Sequence, residues 1–198
     1  MGWQGLIQNP KGEIQYLRSE SISLKNKTLK IDDNIISELK KEEGLLYLGN
    51  LIDNPTIDGT SFIFHTKFRI VTPLDNTICH RMKMIITGTR EVYSLGFSIP
   101  GCVGDLNFYI DEKIISGRKI DLQGFGIEKE KWIDCEVVVK DKKFKVYIDN
   151  MMVYSQLLNH QIGNIGGIQW WFEGIPEIAI AEISDGYGRT LNFLERSQ

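Results

Sequence analysis

Between residues 61 and 193 the chain consists of short segments in which apolar and polar residues alternate, and this pattern constrains the fold more than any other feature. Alternation with a period of two is typical of β-strands that bury one face, because successive side chains point to opposite sides. Gly, Pro, Asn and Asp separate the segments, so the pattern predicts an antiparallel β-sandwich built from hairpins. The predicted strands cover residues 62–71, 78–87, 91–99, 106–110, 113–116, 132–140, 143–149, 151–155, 165–172 and 178–183.

The part of the chain before residue 61 carries a weaker pattern. Residues 12–31 alternate in two stretches, which predicts two short strands joined by a turn. Residues 33–43 predict one short helix, because an aspartate stands at its start and a glycine follows its end. Residues 49–60 have the composition of a loop, so we interpret 33–59 as a helix-plus-loop insertion in a single domain spanning 1–198. The expected fold class is therefore all-β, a two-sheet antiparallel sandwich with one short helix.

Composition argues against two classes of partner. The chain contains 23 Lys or Arg and 26 Asp or Glu, which gives a net charge of −3. The basic residues are interspersed with acidic ones, so we expect no nucleic-acid partner. No run of about 18 apolar residues is present, so we expect no membrane span in this chain. Folded-looking sequence begins abruptly at Trp3, and we therefore expect a signal, an anchor or further domains of a longer protein upstream.

The three cysteines, Cys79, Cys102 and Cys135, form no CxxC pair and have no zinc-binding spacing. Their odd number allows at most one intramolecular disulfide with one thiol left over. We interpret all three as small, buried, apolar side chains, with a disulfide as the alternative.

One hairpin resembles that of a known superfamily. Residues 132–139 (WIDCEVVV) and 144–150 (FKVYIDN) resemble the W-x-x-x-x-V-x-V…V-Y-Φ-D-G/N hairpin of concanavalin A-like lectins and glucanases, which include laminin-G-like modules. Residues 62–70 resemble the F-x-Φ-x-x-x-F-R strand of these proteins, and 177–183 resemble their closing strand. The resemblance covers roughly residues 60–195 and implies a jelly-roll of two curved antiparallel sheets. In such relatives, carbohydrate or protein partners meet the concave face or the loops at its rim.

Known catalytic patterns are missing from the sequence. The Glu-x-Asp-x-(x)-Glu strand of family 16 glucanases has no counterpart, which argues against that activity. Asp134 and Glu136 would share a strand face at about 6.7 Å, a separation that glycosidases use, but an exposed polar face is the favoured interpretation. His65 and His160 have no acidic or Cys partner at ligand spacing, and His80 would point to the opposite strand face from its neighbour Cys79. We interpret all three histidines as structural or exposed. We therefore predict no catalytic residue, no metal and no cofactor.

The doublet Trp170-Trp171 is the strongest candidate for ligand binding. On a strand the two rings face opposite ways, which places Trp170 in the core. Gln169, Trp171 and Glu173 then share the other face, where the indole ring would stack on sugar C–H groups while the polar neighbours bond hydroxyls. The alternative interpretation is that a loop covers Trp171. Polar residues of other predicted strands would extend this candidate site where they belong to the same sheet: Arg81, Lys83, Asn107 and Tyr109.

Three functions stay open from the sequence. The first is a non-catalytic, extracytoplasmic module that binds or senses carbohydrate. The second is a glycoside hydrolase whose carboxylates converge from separate strands, with Glu91, Asp105 and Glu173 as candidates. The third is a structural or protein-interaction domain without a small-molecule site.

Overall fold

The computed structural model describes residues 3–42, 45–72, 79 and 81–195, without the side chains of residues 19, 38–42 and 72. Within these residues one α-helix, α1 at Asp33–Glu42, accompanies sixteen strands. The strands are β1 Gln4–Gln8, β2 Ile14–Tyr16, β3 Ile22–Lys25, β4 Thr28–Ile31, β5 Leu45–Leu51, β6 Phe62–Thr72, β7 Arg81–Gly88, β8 Val92–Ser98, β9 Asn107–Ile110, β10 Lys113–Ser116, β11 Ile133–Lys140, β12 Lys143–Ile148, β13 Met151–Leu157, β14 Ile165–Phe172, β15 Ile175–Asp185 and β16 Thr190–Asn192. No helix in the described part of the chain is long and apolar enough to cross a membrane.

The strands form two eight-stranded antiparallel sheets. Sheet A has the order β10-β9-β8-β7-β14-β5-β1-β2, and sheet B has the order β13-β12-β11-β6-β15-β4-β3, with β16 paired to β15. Tight turns join many consecutive strands, and several of these turns begin at an Asp or Asn with positive φ. Asp and Asn tolerate this conformation better than most residues, which is why they recur at the hairpin tips. The predicted jelly-roll sandwich with one short helix is confirmed.

The two sheets pack on one another through a single cluster of buried apolar side chains. On β14, Ile168, Trp170 and Phe172 are buried in this core, as their alternation in the sequence predicts. The Trp170 ring packs against Trp3 and Phe64, with ring centroids 5.4 and 6.1 Å apart. Because Phe64 belongs to β6 of sheet B, these contacts fix the central strand of sheet A against the opposite sheet.

Two expectations for the first part of the chain are wrong. Residues 45–51 form β5, a central strand of sheet A between β14 and β1, so 33–59 is not a helix-plus-loop insertion. The strand does not alternate in sequence because its outer positions are also apolar, and because Asn50 on its inner side is buried and polar. The Asn50 amide donates to the backbone oxygen of Phe193 at 3.4 Å, which satisfies it in the core. β1 is a further strand that was not predicted, and residues 12–31 form three strands rather than two.

Cys79 and Cys102 form a disulfide, with their Cα atoms 5.7 Å apart. The interpretation of these two residues as free buried thiols is therefore wrong. The β7–β8 hairpin explains the pairing, because its register brings the residues before β7 and after β8 together. Cys135 is the buried free thiol that was expected, and burial raises the pKa of its thiol well above the usual range. Gly44, Ile78 and His80, for which a helix end, a strand start and a structural role were predicted, lie outside the described residues.

Candidate functional site

All six residues predicted for ligand binding lie on the outer face of sheet A, the side turned away from the core. They are Gln169 on β14, Trp171 on β14, Glu173 just after β14, Arg81 on β7, and Asn107 and Tyr109 on β9. Their inward neighbours on the same strands, such as Trp170, Met82 and Phe108, are buried. We call this outer surface the sheet A face.

A row of aromatic and apolar side chains crosses the sheet A face. Direct cross-strand partners define its members as Lys83 on β7, Trp171 on β14, Tyr47 on β5, Leu6 on β1 and Tyr16 on β2. The Tyr47 and Trp171 rings meet edge to face with centroids 6.4 Å apart, and Lys83 Nζ lies 5.9 Å from the Trp171 centroid. Adjacent strands are about 4.8 Å apart, so this aromatic row extends for roughly 19 Å.

A second row, which we call the polar row for its two glutamines, runs beside the aromatic row, two residues along each strand. Its members are Ile85, Gln169, Gly49 and Gln4. Gly49 leaves a gap between the two glutamines, and a cleft of about 170 Å³ opens there between the strands β14, β5, β1 and β2. Tyr16 and Tyr47 line the same cleft, so it has aromatic walls and amide groups at its ends. Trp171 is partly exposed on this face.

Arg81 and Glu173 form a tight ion pair at one end of the sheet A face. The guanidinium donates to Glu173 Oε1 at 2.7 and 3.0 Å, and the Arg81 backbone N–H donates to Glu173 Oε2 at 3.0 Å. This hydrogen bonding raises the pKa of Arg81. Both carboxylate oxygens of Glu173 are thus engaged, and the pair fixes the chain at the end of β14 next to Trp171.

Asn107 and Tyr109 share the sheet A face but lie at a distance from Trp171. Their strand, β9, is separated from β14 by β8 and β7, so about 14 Å of sheet lies between them. The Asn107 amide donates to the Asp105 backbone oxygen at 3.3 Å. The structure therefore brings Gln169, Trp171 and Glu173 together and places Asn107 and Tyr109 at the far side of the same surface.

The three carboxylates proposed for a hydrolase do not all lie together. Glu91 lies beside the turn between β7 and β8, whereas Glu173 lies at the opposite end of that hairpin, beside Arg81. Asp105 pairs with Arg118 at 2.7 Å, and its charge also helps to raise the pKa of Arg81, the partner of Glu173. Asp105 and Glu173 are therefore each engaged by an arginine, and Glu91 lies apart from Glu173.

The turns at the opposite end from the Arg81–Glu173 pair surround a pocket of about 380 Å³, which we call the rim pocket. The turn between β7 and β8 contributes Arg90 and Glu91, the turn between β9 and β10 contributes Glu112, and the turn between β11 and β12 contributes Lys142. The loop after β13 contributes a wall that includes His160, and Gly59, Thr60 and Val139 complete the lining. The sequence did not suggest this pocket, because its members come from widely separated parts of the chain.

Asp111 holds one wall of the rim pocket in place. Its side chain is fully buried, yet it accepts hydrogen bonds from the backbone N–H groups of Asn159 and His160 at 2.7 Å and from the Asn159 amide at 2.6 Å. Burial alone would raise the pKa of Asp111, but these hydrogen bonds and that from Lys113 outweigh it and lower the pKa to about 2. The loop after β13 is thereby anchored to the turn after β9.

The outer face of sheet B carries a histidine between carboxylates. His65 Nε2 lies 2.9 Å from Asp134 Oδ1, and His65 Nδ1 lies 3.5 Å from Glu182 Oε1. The expectation that His65 lacks acidic partners is wrong, because these partners come from neighbouring strands 69 and 117 residues away. His160 likewise lies 3.4 Å from Asp111. Among the described residues no group of three or more His, Cys, Asp or Glu side chains is placed to hold a metal ion.

Asp134→Asn is expected to lower the free energy of unfolding by less than about 1 kcal/mol, because a partly exposed ion pair is screened by solvent. The Asp134 side chain is 39% exposed, which puts it in that class. Urea unfolding at pH 7 measures the change, with Lys140→Gln as an exposed-surface control. A loss of several kcal/mol would show that the His65 cluster is a structural centre rather than a solvated face.

The chain matches solved structures by its fold. No protein-family model matches it, and no curated protein matches it in sequence. The carbohydrate-binding module CBM66 from Bacillus subtilis superimposes with a TM-score of 0.51 at 11% identity, covering 83% of this chain and 91% of the module. Alginate lyase A1-II′, a member of polysaccharide lyase family 7, has a TM-score of 0.51 at 9% identity, covering 93% of this chain and 94% of the lyase.

A sialidase also matches, with a TM-score of 0.49 at 13% identity, and this chain spans 16% of the length of that protein. Identities this low concern the fold alone. The two eight-stranded antiparallel sheets, their strand order and these structural neighbours agree with one another. The chain therefore has the concanavalin A-like jelly-roll fold.

Proposed function

We propose that this chain is a non-catalytic carbohydrate-binding domain that holds an extended oligosaccharide on the sheet A face. The aromatic row carries the proposal, because it presents Trp171, Tyr47 and Tyr16 along roughly 14 Å of one surface. The structural neighbours support a carbohydrate-related role, since one is named a carbohydrate-binding module and another is a polysaccharide lyase.

The chemistry of the sheet A face suits a sugar ring. Sugars have apolar C–H faces and polar hydroxyl edges, so they bind where large rings lie beside hydrogen-bonding groups. Trp171 and Tyr47 supply the rings, and the amides of Gln169 and Gln4 supply both donors and acceptors beside them. Gly49 keeps the floor between the two amides open. A sugar ring in this cleft would contact aromatic carbon and amide groups at the same time.

The ion pair of Glu173 with Arg81 favours binding without catalysis. It is the carboxylate next to Trp171 among the described residues of this face, and Arg81 bonds both of its oxygens. A carboxylate held in this way is not positioned to donate a proton to a glycosidic oxygen. An extracytoplasmic location forms part of the proposal and is supported by the Cys79–Cys102 disulfide, since such bonds persist in oxidising compartments.

Trp171→Ala is expected to weaken oligosaccharide binding by roughly 30-fold or more, the effect of removing a tryptophan that anchors an interface. Isothermal titration calorimetry measures it, after a screen of cello-, laminari-, chito- and alginate oligosaccharides has identified a bound chain. Gly49→Val gives an independent test, because a Cβ at Gly49 would lie 3.5 Å from Gln169 Cγ, an ordinary contact, and would fill the cleft. This variant is expected to fold normally and to lose affinity.

Trp132→Ala is the matched control for Trp171→Ala. Trp132 is also a partly exposed tryptophan beside a cation, with the Arg69 guanidinium 4.8 Å from its ring, but it precedes β11 of sheet B. Its removal is expected to leave the affinity unchanged. The proposal fails if no oligosaccharide binds, or if the two tryptophan variants bind equally well.

A further inference from the structure

The rim pocket has the size and the construction of a second ligand site. Its volume of about 380 Å³ falls within the range of small-molecule pockets, at the low end. It lies among the turns at one end of the sandwich, and none of the residues that line it belongs to the aromatic row or the polar row of the sheet A face. A ligand bound there would be small and independent of a chain bound across sheet A.

Part of the wall of the rim pocket has an ordered backbone before any ligand binds. Buried Asp111 anchors the loop carrying Asn159 and His160, and the turn at Asp111 and Glu112 is tight, with φ values of 57° and 59°. The turn at Asp141 and Lys142 has the same form. A pocket whose backbone is already ordered loses little conformational freedom on binding, so even a small ligand gains affinity.

One carboxylate oxygen of Glu91, a residue that lines the rim pocket, lacks a protein partner among the described residues. Glu91 Oε1 accepts a hydrogen bond from the Glu112 backbone N–H at 2.5 Å. Glu91 Oε2 is buried and has no hydrogen-bond partner among the described residues. A buried carboxylate oxygen without a donor is costly, so a ligand that brings a hydroxyl group to this atom is favoured.

Two cationic side chains, Arg90 and Lys142, lie at the mouth of the same pocket, together with the carboxylate of Glu112. Arg90 and Lys142 are exposed there, and neither forms an ion pair with a residue in the described part of the chain. Glu112 lies 3.9 Å from His160 on the other side of the mouth. A guanidinium and an ammonium group without carboxylate partners attract an anion, and a guanidinium matches a carboxylate with two parallel hydrogen bonds.

We propose that the rim pocket binds a small polyhydroxylated anion, of which a hexuronic acid residue is the form that matches both halves of the pocket. A sugar hydroxyl donates to Glu91 Oε2, and the carboxylate of the same ring pairs with Arg90 and Lys142. Neutral sugars satisfy only the first contact, and simple carboxylates satisfy only the second. The site therefore recognises a combination of groups, whichever oligosaccharide the sheet A face selects.

Titration of the whole chain with sodium D-glucuronate, D-glucose and sodium acetate, followed by ¹H–¹⁵N NMR, tests this inference. Glucuronate is expected to bind roughly tenfold or more tightly than either glucose or acetate, and to shift the amide signals of Glu112, Asn159 and His160. Equal affinity for glucose would remove the role of Arg90 and Lys142, and equal affinity for acetate would remove the role of Glu91. Either result overturns the proposal.

Matched variants assign the contacts. Glu91→Gln and Arg90→Gln are each expected to weaken glucuronate binding roughly tenfold. Lys140→Gln, which removes an exposed lysine that does not line the rim pocket, is expected to change nothing. Arg90 is exposed, so its substitution tests the site even where Glu91→Gln disturbs folding. Unchanged glucuronate binding in Arg90→Gln contradicts the proposal.

The proposals for the sheet A face and for the rim pocket can be tested independently of each other. Trp171→Ala is expected to leave glucuronate binding intact, because Trp171 does not line the rim pocket. Arg90→Gln is expected to leave oligosaccharide binding to the sheet A face intact. Loss of both activities in both variants would show a single shared site and would overturn the rim pocket assignment.

Discussion

Asp111→Asn is expected to lower the free energy of unfolding by roughly 2–3 kcal/mol, because hydrogen bonds to a buried charged group are worth about this much. The asparagine keeps the shape of the turn but turns an amide N–H₂ towards donors that now lack an acceptor. The amide oxygen can still accept from the backbone N–H groups of Asn159 and His160, which share Oδ1, so the donors that lose their acceptor are the Asn159 amide and Lys113 Nζ, which share Oδ2. Thermal unfolding should show a fall in Tm of about 4–12 °C for a chain of this length.

Asp149→Asn is the matched control. Both aspartates begin two-residue turns with positive φ, at 57° for Asp111 and 47° for Asp149. Asp149 is exposed, and the bond it accepts from the Asp134 backbone N–H at 3.2 Å can also be accepted by an asparagine oxygen. The control is expected to cost less than about 1 kcal/mol. Equal losses in the two variants would show that the turn, and not the buried hydrogen bonds, accounts for the effect.

The same interaction makes stability depend on acid pH. The pKa of Asp111 is about 2 in the folded protein, below its ordinary value of 3.8, so its stabilising effect is complete above pH 4. As pH falls from about 4 to 2, roughly 2 kcal/mol is lost. Asp185 and Glu177, whose pKa values are also lowered by hydrogen bonding and ion pairing despite burial, act in the same direction. Asp111→Asn should therefore flatten the fall in Tm between pH 5 and 2, and an unchanged slope would contradict this assignment.

Removal of the Cys79–Cys102 disulfide is the second change with a large expected effect. The bond closes a loop with a sequence separation of 23, which corresponds to about 3 kcal/mol of stability for a loop of this size. Cys79→Ser combined with Cys102→Ser should therefore lower Tm by about 6–12 °C. Differential scanning calorimetry of the two proteins, with and without reductant, measures this difference.

Cys135→Ala is the control for the disulfide prediction. Reductant should lower the Tm of the unmodified chain and of Cys135→Ala equally, and should leave the double serine variant unchanged. Iodoacetamide should modify no cysteine in the native oxidised protein, because Cys135 is buried and its thiol pKa is raised. It should modify one cysteine after unfolding and three after unfolding with reductant. A Tm that does not respond to reductant would argue against the bond.

Local patterns in the sequence were sufficient to predict the fold. Strand β14 is an example, because the alternation around Trp170 and Trp171 identified both its core face and its outer face. The resemblance of the hairpin at residues 132–150 to concanavalin A-like proteins further predicted that the sandwich is a jelly-roll. Strand β5 was missed because it is apolar on both faces and carries a buried Asn50, which resembles loop composition. The strand is nevertheless stable in the fold because it forms backbone hydrogen bonds with β1 on one side and β14 on the other.

The candidate site was predicted in part, because it depends on strand register. Trp171 and its neighbours on β14 were identified from one strand alone. Tyr47 and Tyr16 were not, since they meet Trp171 only through the pairings of β14 with β5 and of β1 with β5 and β2. Asp111 and Asp149 begin two similar turns with positive φ. Sequence alone could not show that the first aspartate is buried beneath a loop from a distant part of the chain.

The strand order of sheet A also has a consequence for biosynthesis. Strand β14 inserts between β5 and β7, so the surface around Trp171 joins segments from both halves of the chain. Contacts at such sequence separations form slowly, and they cannot form during translation until residues 165–172 have emerged. Hairpins such as β7–β8 are complete much earlier. Ligand affinity would thus report maturation of the whole domain, whereas circular dichroism would already detect β-structure in nascent intermediates.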